Sequence, residues 1–170
     1  MLKNVTYLLL DRMISHDQVL IQYKKEFLLQ LYLDVITAAP PSTPSVSAPT
    51  GTQTASRKPP VTFVHAAGSD GGAQTKFRVK IFSAAQYGAG GFNPASSVAT
   101  YDSGIITSSS GTHVPSVNLP NGATYRAYVL TYATTHGVDQ PSIAWGVSPT
   151  FTIAIPVPVP TALSPLHGST

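Results

Sequence analysis

The stretch Leu119-Pro-Asn-Gly-Ala-Thr-Tyr125-Arg-Ala-Tyr-Val129 decides the fold of this chain. Its Pro-Asn-Gly segment predicts a turn between two strands. Because side chains alternate along a strand, Tyr125, Ala127 and Val129 share one face of the second strand. We expect the Tyr125 ring to lie on the core and its hydroxyl to bond backbone upstream, which is the tyrosine corner of a β-sandwich.

Further strands are predicted on both sides of this corner. The clearest is 75–83, in which Phe77, Val79 and Ile81 are expected to face the core, and Lys76, Arg78 and Lys80 to face the solvent. The other predicted strands are 60–66, 98–101, 105–107, 112–119, 125–133 and one or two within 143–155, with a turn at 102–104. About seven short antiparallel strands with regular turn signals predict an all-β sandwich.

Eight residues are expected to be structural. They are Phe63, Phe77, Val79, Ile81, Leu119, Tyr125, Val129 and Trp145.

Composition agrees with short strands and many turns. Only 10% of the 170 residues are charged, and the chain contains 13 Gly and 15 Pro. The net charge of +3 comes from scattered lysines and arginines, which do not form the basic stripe that nucleic-acid binding requires. The chain has no cysteine, which excludes disulfides and thiolate metal sites.

Residues 1–38 differ from the rest of the chain because they are rich in Leu, Ile and Tyr and lack both Pro and Gly. Alternating apolar residues favour two strands joined around 24–26, whereas leucine content and the missing Gly and Pro favour a helix. The strand pair is the preferred prediction. In either form this apolar segment must pack on another domain, copy or partner chain.

The chain divides into four predicted parts. Residues 1–38 form a docking segment, and 39–49 form a Pro/Ser linker with a first edge strand, since prolines remove ladder donors. Residues 50–155 form the sandwich. Residues 156–170 form either a Pro-rich tail or the start of a second module, because 159–170 resembles 45–52.

Motifs for catalysis are missing from the sequence. The five histidines lie far apart, and no two carboxylates form a close pair. Asp70 and Asp102 stand beside turn glycines, which is typical of turn formers. We therefore expect no enzyme activity, cofactor or metal, and no window approaches the ~20 apolar residues of a membrane span.

Surface recognition is the remaining chemistry. Aromatic and arginine side chains anchor many interfaces, and cross-strand pairing on a solvated sheet is the alternative role for them. The candidate surface-binding residues are Tyr128, Tyr132, Arg126, Arg78, Tyr87 and Phe92. The loop tips at 68–72, 87–94 and 134–141 are further candidates.

The run from Pro41 to Ile155 resembles an immunoglobulin-like module of the fibronectin type III kind. The resemblance is carried by Leu119-Pro120, Thr124-Tyr125 and Val129 and by the strand Phe77–Ile81, with Phe63 where that family often has tryptophan. Segments 45–52, 70–82, 101–104 and 119–125 resemble modules of minor tail and fibre proteins of tailed bacteriophages.

This resemblance implies a virion structural protein of a tail, fibre or capsid surface. Residues 1–38 would dock it to other virion proteins or to copies of itself, and it would be made in the host cytoplasm without a signal peptide. The alternative is a module that binds carbohydrate or a cell surface, with a host-surface glycan as its partner.

Overall fold

The computed structural model describes residues 2–37, 39–135 and 137–158, together with the side chains of 16–33 in the first helix and those of the later described residues. A long helix, α1 (Leu2–Thr37), precedes a β-rich body. The C-terminal tail or second module was predicted for 156–170, and residues 159–170 of it lie outside the described residues.

Two sheets make up the body. The smaller sheet has the order β1 (Ser42–Ala48), β3 (Val61–Ala66), β6 (Thr112–His113). The larger sheet has the order β2 (Gly51–Gln53), β10 (Phe151–Ile153), β7 (Thr124–Thr135), β4 (Gln74–Ser83), β5 (Tyr101–Thr107). Two more strands, β8 (Val138–Pro141) and β9 (Gly146–Val147), also pair with β7, and the short helix α2 (Ala84–Tyr87) follows β4.

One hydrophobic core joins the two sheets. Phe63 of β3 meets Phe77 of β4 edge to face, with ring centroids 5.1 Å apart. Seven of the eight predicted structural residues belong to this buried cluster, and Trp145 does not. The predicted all-β architecture of two packed sheets is therefore confirmed.

The Tyr125 corner has the predicted geometry. Tyr125 is 1% exposed, its ring packs 5.7 Å from that of Phe151, and its hydroxyl donates a 3.0 Å hydrogen bond to the Pro120 carbonyl. Gly122 has a φ of 77°, which glycine adopts without strain. The corner ties the start of β7 to the chain that enters it.

Several strand boundaries differ from the prediction. The predicted turn at 102–104 lies inside β5, where Gly104 has a φ of 66° and the β4–β5 register shifts between Arg78 and Lys80. A glycine with positive φ fits a bulge as well as a turn. Tyr101 and the predicted strand at 105–107 are thus parts of one bulged strand, whereas 98–100 do not form a strand. The 134–141 loop is largely the β7–β8 hairpin, and β2 pairs with β10 in parallel.

The preference for a strand pair in residues 1–38 is wrong. Leu2–Thr37 is one continuous helix. More than half of the residues in the segment are apolar, so alternation over a few residues arises without a sheet, and the absence of Gly and Pro leaves the helix uninterrupted. A helix also satisfies its backbone hydrogen bonds internally, whereas two strands need further partners for stability.

The chain is fixed to the sandwich immediately after α1. The Ala39 amide donates to Asp70 Oδ2 at 2.6 Å, and the Pro41 carbonyl accepts from the Ile143 amide at 2.9 Å. A Cβ at Gly68 would collide with the Pro40 carbonyl oxygen. Asp70, predicted as a local turn former, therefore also anchors the junction.

We predict that Tyr125→Phe lowers the free energy of unfolding by about 1 kcal/mol, because the Pro120 carbonyl loses its donor. Urea unfolding followed by fluorescence measures the change. Tyr132→Phe is the matched control, since the Tyr132 hydroxyl has no hydrogen-bond partner among the described residues, and it should have a smaller effect. Equal effects would contradict the assigned role of the corner.

His113 lies against two core aromatic rings. It stacks on Tyr101 at 5.8 Å and meets the edge of Phe77 at 5.7 Å, and its Nε2 is 2.6 Å from the Tyr101 hydroxyl. Burial lowers the pKa of His113 below its ordinary value, because the charged ring would lose water.

This lowered pKa predicts that acid destabilises the protein. As the pH falls through about 6.5, the unfolded chain takes up a proton at His113 before the folded chain does, so stability is lost until the pH reaches the folded-state pKa. We expect the parent to lose more unfolding free energy between pH 7.5 and 5 than His113→Gln. Parallel losses in urea titrations would exclude this role for His113.

Candidate functional site

The outer face of the larger sheet carries most of the predicted surface-binding residues. Alternation along β4 and β7 places Lys80 opposite Tyr128 and Phe82 opposite Arg126, on the side away from the core. Arg78 and Tyr132 lie further along the same face. The face therefore has an aromatic end and an ion-paired end.

Three rings form a cluster at the aromatic end. Phe82 meets Phe92 at 4.9 Å and Tyr128 at 5.4 Å, both edge to face, and Phe92 lies 5.4 Å from Tyr128. Tyr128 is only 7% exposed, and burial raises the pKa of its hydroxyl, partly offset by Arg126. The predicted outward direction of Tyr128 is right, but the segment carrying Phe92 covers it.

Lys80 is buried in this outer layer, which contradicts its predicted solvent exposure. It is 4% exposed, and its Nζ donates to the carbonyls of Pro94 at 2.8 Å and Ala95 at 3.3 Å. The Nζ also lies 5.8 Å from the Trp145 ring centroid and 6.0 Å from that of Phe82. Loss of hydration, and next the nearby Arg78, lower the pKa of Lys80.

Trp145 serves this outer layer and not the main core. It is half-buried, and its ring faces the Lys80 ammonium group. The sequence placed Trp145 in the closing strands and predicted a structural role for it.

Arg126 and Tyr87 form the solvent edge of the cluster. The Arg126 guanidinium carbon lies 5.0 Å from the Tyr87 ring centroid, and the positive charge of Arg126 partly offsets the rise in the pKa of Tyr128. Its Nε is buried without a hydrogen-bond partner among the described residues. Tyr87, Phe92, Arg126 and Tyr128 are thus brought together, with the first three half-buried.

Arg78 and Tyr132 occupy the ion-paired end. Arg78 donates from Nε to Asp102 Oδ1 at 2.9 Å and from Nη2 to Oδ2 at 2.5 Å, and this fork holds the pKa of Asp102 below its usual value. Tyr132 is opposite Lys76, which pairs with Asp139. Because Asp102 already occupies the Arg78 fork, this end offers less to a ligand than the sequence suggested.

The largest exposed apolar surface lies on α1. Every described side chain from 16 to 33 is exposed, and ten large apolar ones keep 41–69% of their surface in contact with solvent. At about 100° per residue, eight of the ten form two main stripes, and Leu29 and Leu33 lie in the wider of the two gaps between the stripes. Stripe A consists of Val19, Leu20, Tyr23, Phe27 and Leu31, and stripe B consists of Ile21, Leu28 and Tyr32.

The two stripes lie on different sides of the helix. Stripe A spans an arc of about 120°, and the centre of stripe B lies about 130° away from that of stripe A. Asp17 and Lys24 lie between them on one side. The sequence predicted a docking role for this segment, but the preference for strands hid the stripes that a helix forms.

No group of three or more His, Asp or Glu residues able to hold a metal ion occurs within the part of the chain that the structure describes. Among the histidines, His65 is held by two hydrogen bonds, from Nδ1 to Thr131 Oγ1 at 2.9 Å and from Nε2 to the Gly72 carbonyl at 3.0 Å. Among the described residues, no helix combines the length and apolar character needed to cross a membrane.

No family model, curated protein or solved structure matches this chain.

We predict that Lys80→Met lowers the unfolding free energy by about 1–3 kcal/mol, because two carbonyls lose their shared donor within a nearly closed layer. Thermal or urea unfolding measures the loss, and proteolysis should reach the 88–98 segment sooner. Lys58→Met is the matched control, since Lys58 Nζ donates to the Ser116 carbonyl at 2.7 Å in an exposed setting. An equal loss in both variants would refute a clamping role for Lys80.

Proposed function

We propose that this chain is a structural protein of a tailed-bacteriophage particle. In this proposal α1 docks onto the particle, and a fibronectin type III-like sandwich is presented outward as a rigid body. The protein performs no catalysis. Its partners are other virion proteins and copies of itself.

The observation that carries the docking role is the exposed surface of α1. A typical monomer exposes no apolar patch larger than about 300–600 Å². On α1, Tyr23, Phe27 and Tyr32 alone are 64–69% exposed and leave on the order of 400 Å², since aromatic side chains carry about 150–250 Å² each. Seven more large apolar side chains on the helix are 41–62% exposed. A helix that is apolar on several sides is stable in water only when other elements cover it.

The sandwich needs no help from α1 to bury its core. All members of the core cluster lie between Val46 and Ile153. The covering for α1 must therefore come from outside the sandwich. This arrangement supports a docking element joined to a separately folded module.

The bacteriophage setting is supported by the resemblance of segments 45–52, 70–82, 101–104 and 119–125 to tail and fibre modules. The Tyr125 corner at the end of the last of these segments is compatible with a fibronectin type III-like module.

Immunogold electron microscopy tests the proposal. Particles from a lysate of the phage that encodes the chain are labelled with antibody raised against the purified full-length protein. We expect gold at a defined place on the particle, and none after the antibody is preabsorbed with the protein. Particles that remain unlabelled, and in which mass spectrometry detects no peptide of the chain, would overturn the proposal.

A glycan array tests the carbohydrate-binding alternative. Tyr87, Phe92 and Arg126 are the half-buried residues that a sugar would contact. Because these groups already pack on one another, we expect the full chain to bind no glycan. Binding that is lost in Arg126→Ala but kept in Arg78→Ala would favour recognition over a purely architectural role.

A further inference from the structure

We propose that stripe A of α1 is a self-association surface that joins three copies of this chain into a parallel helical bundle. The inference rests on the proposed docking function, since it names the first partner of the docking helix. Stripe B then remains on the outside of the bundle, where it is available to the particle.

The sandwich leaves the described side chains of α1 uncovered, since all of those from 16 to 33 are exposed. The helix ends at Thr37, and the chain is already fixed at Ala39 by Asp70. One residue separates these two points, which is shorter than the roughly 2–8 residues of a connection that packs a helix back on its neighbour.

The exposed area matches that of a stable interface. Stripe A alone forms the proposed interface, and its five side chains, 46–69% exposed, leave on the order of 400 Å² on each copy. Three copies would therefore bury on the order of 1,200 Å² in total, at the lower end of the range of about 1,200–2,000 Å² for stable protein interfaces.

The width of stripe A indicates more than two helices. A two-stranded coiled coil buries a narrow seam, whereas a helix in a larger bundle buries an apolar arc of 100° or more. Stripe A spans about 120°. Three is the smallest number that gives each helix two neighbours in a closed ring, and cyclic symmetry makes the three helices parallel.

The charged groups of the helix suit identical partners. Residues 16–33 carry two acidic and two basic side chains, so neighbouring copies bear no net charge to repel each other.

Sedimentation equilibrium of the full-length chain tests the inference. We expect a mass three times the 17.9 kDa of one chain. The double variant Leu20→Ser/Phe27→Ser, in stripe A, should weaken association at least tenfold. The matched variant Ile21→Ser/Leu28→Ser, in stripe B, should remain a trimer.

Each outcome decides the inference. Circular dichroism and the melting temperature of the sandwich verify that both variants keep their fold. Any parent mass other than three chains, or equal weakening by the two double variants, overturns the trimer. A monomeric parent that still labels phage particles would overturn this inference alone, whereas unlabelled particles overturn the docking function whatever the mass.

Discussion

The ladder between β4 and β7 is the constraint on which the rest of the structure depends. It runs from Gln74 opposite Ala133 to Ser83 opposite Tyr125. Alternation along these two strands produces two packed layers from one pair. The inner layer is the main core shared with the smaller sheet, and the outer layer is the cluster around Lys80 and Phe82. A shift of the register by one residue would exchange the two layers and destroy both.

The inner layer was predictable because its signals are local. Period-two alternation in Phe77–Ile81 and the turn before Tyr125 lie within a few residues of the side chains that they place. The outer layer was not predictable because its partners are distant. The local sequence predicts a solvated Lys80, because the Pro94 carbonyl and the Trp145 ring that contact it come from distant parts of the chain. Four of the predicted surface residues (Tyr87, Phe92, Arg126 and Tyr128) come together in this layer. Nothing in the sequence pattern indicated that Phe92 would cover Tyr128.

The errors in the sequence reasoning share a physical cause, which is that period and turn chemistry are ambiguous in short windows. Gly104 supplies a positive φ, and both a turn and a bulge use one, so only the pairing of β5 with β4 decides between them. In α1 the apolar residues are so dense that a period of two and a period of 3.6 fit equally. Length without Gly or Pro was the better signal there.

The fixed junction after α1 gives the molecule a mechanical character. Tension applied along the helix enters the sandwich at Ala39. It is divided among hydrogen bonds to separate parts of the fold, which are the Asp70 carboxylate in one turn, the Ile143 amide before β9, and the β1–β3 ladder. Gly146 has no Cβ and so lets the Pro44 carbonyl come close, which holds β1 against a further strand. A pull that reaches Ala39 is therefore shared across several contacts of the sandwich and does not load a single one.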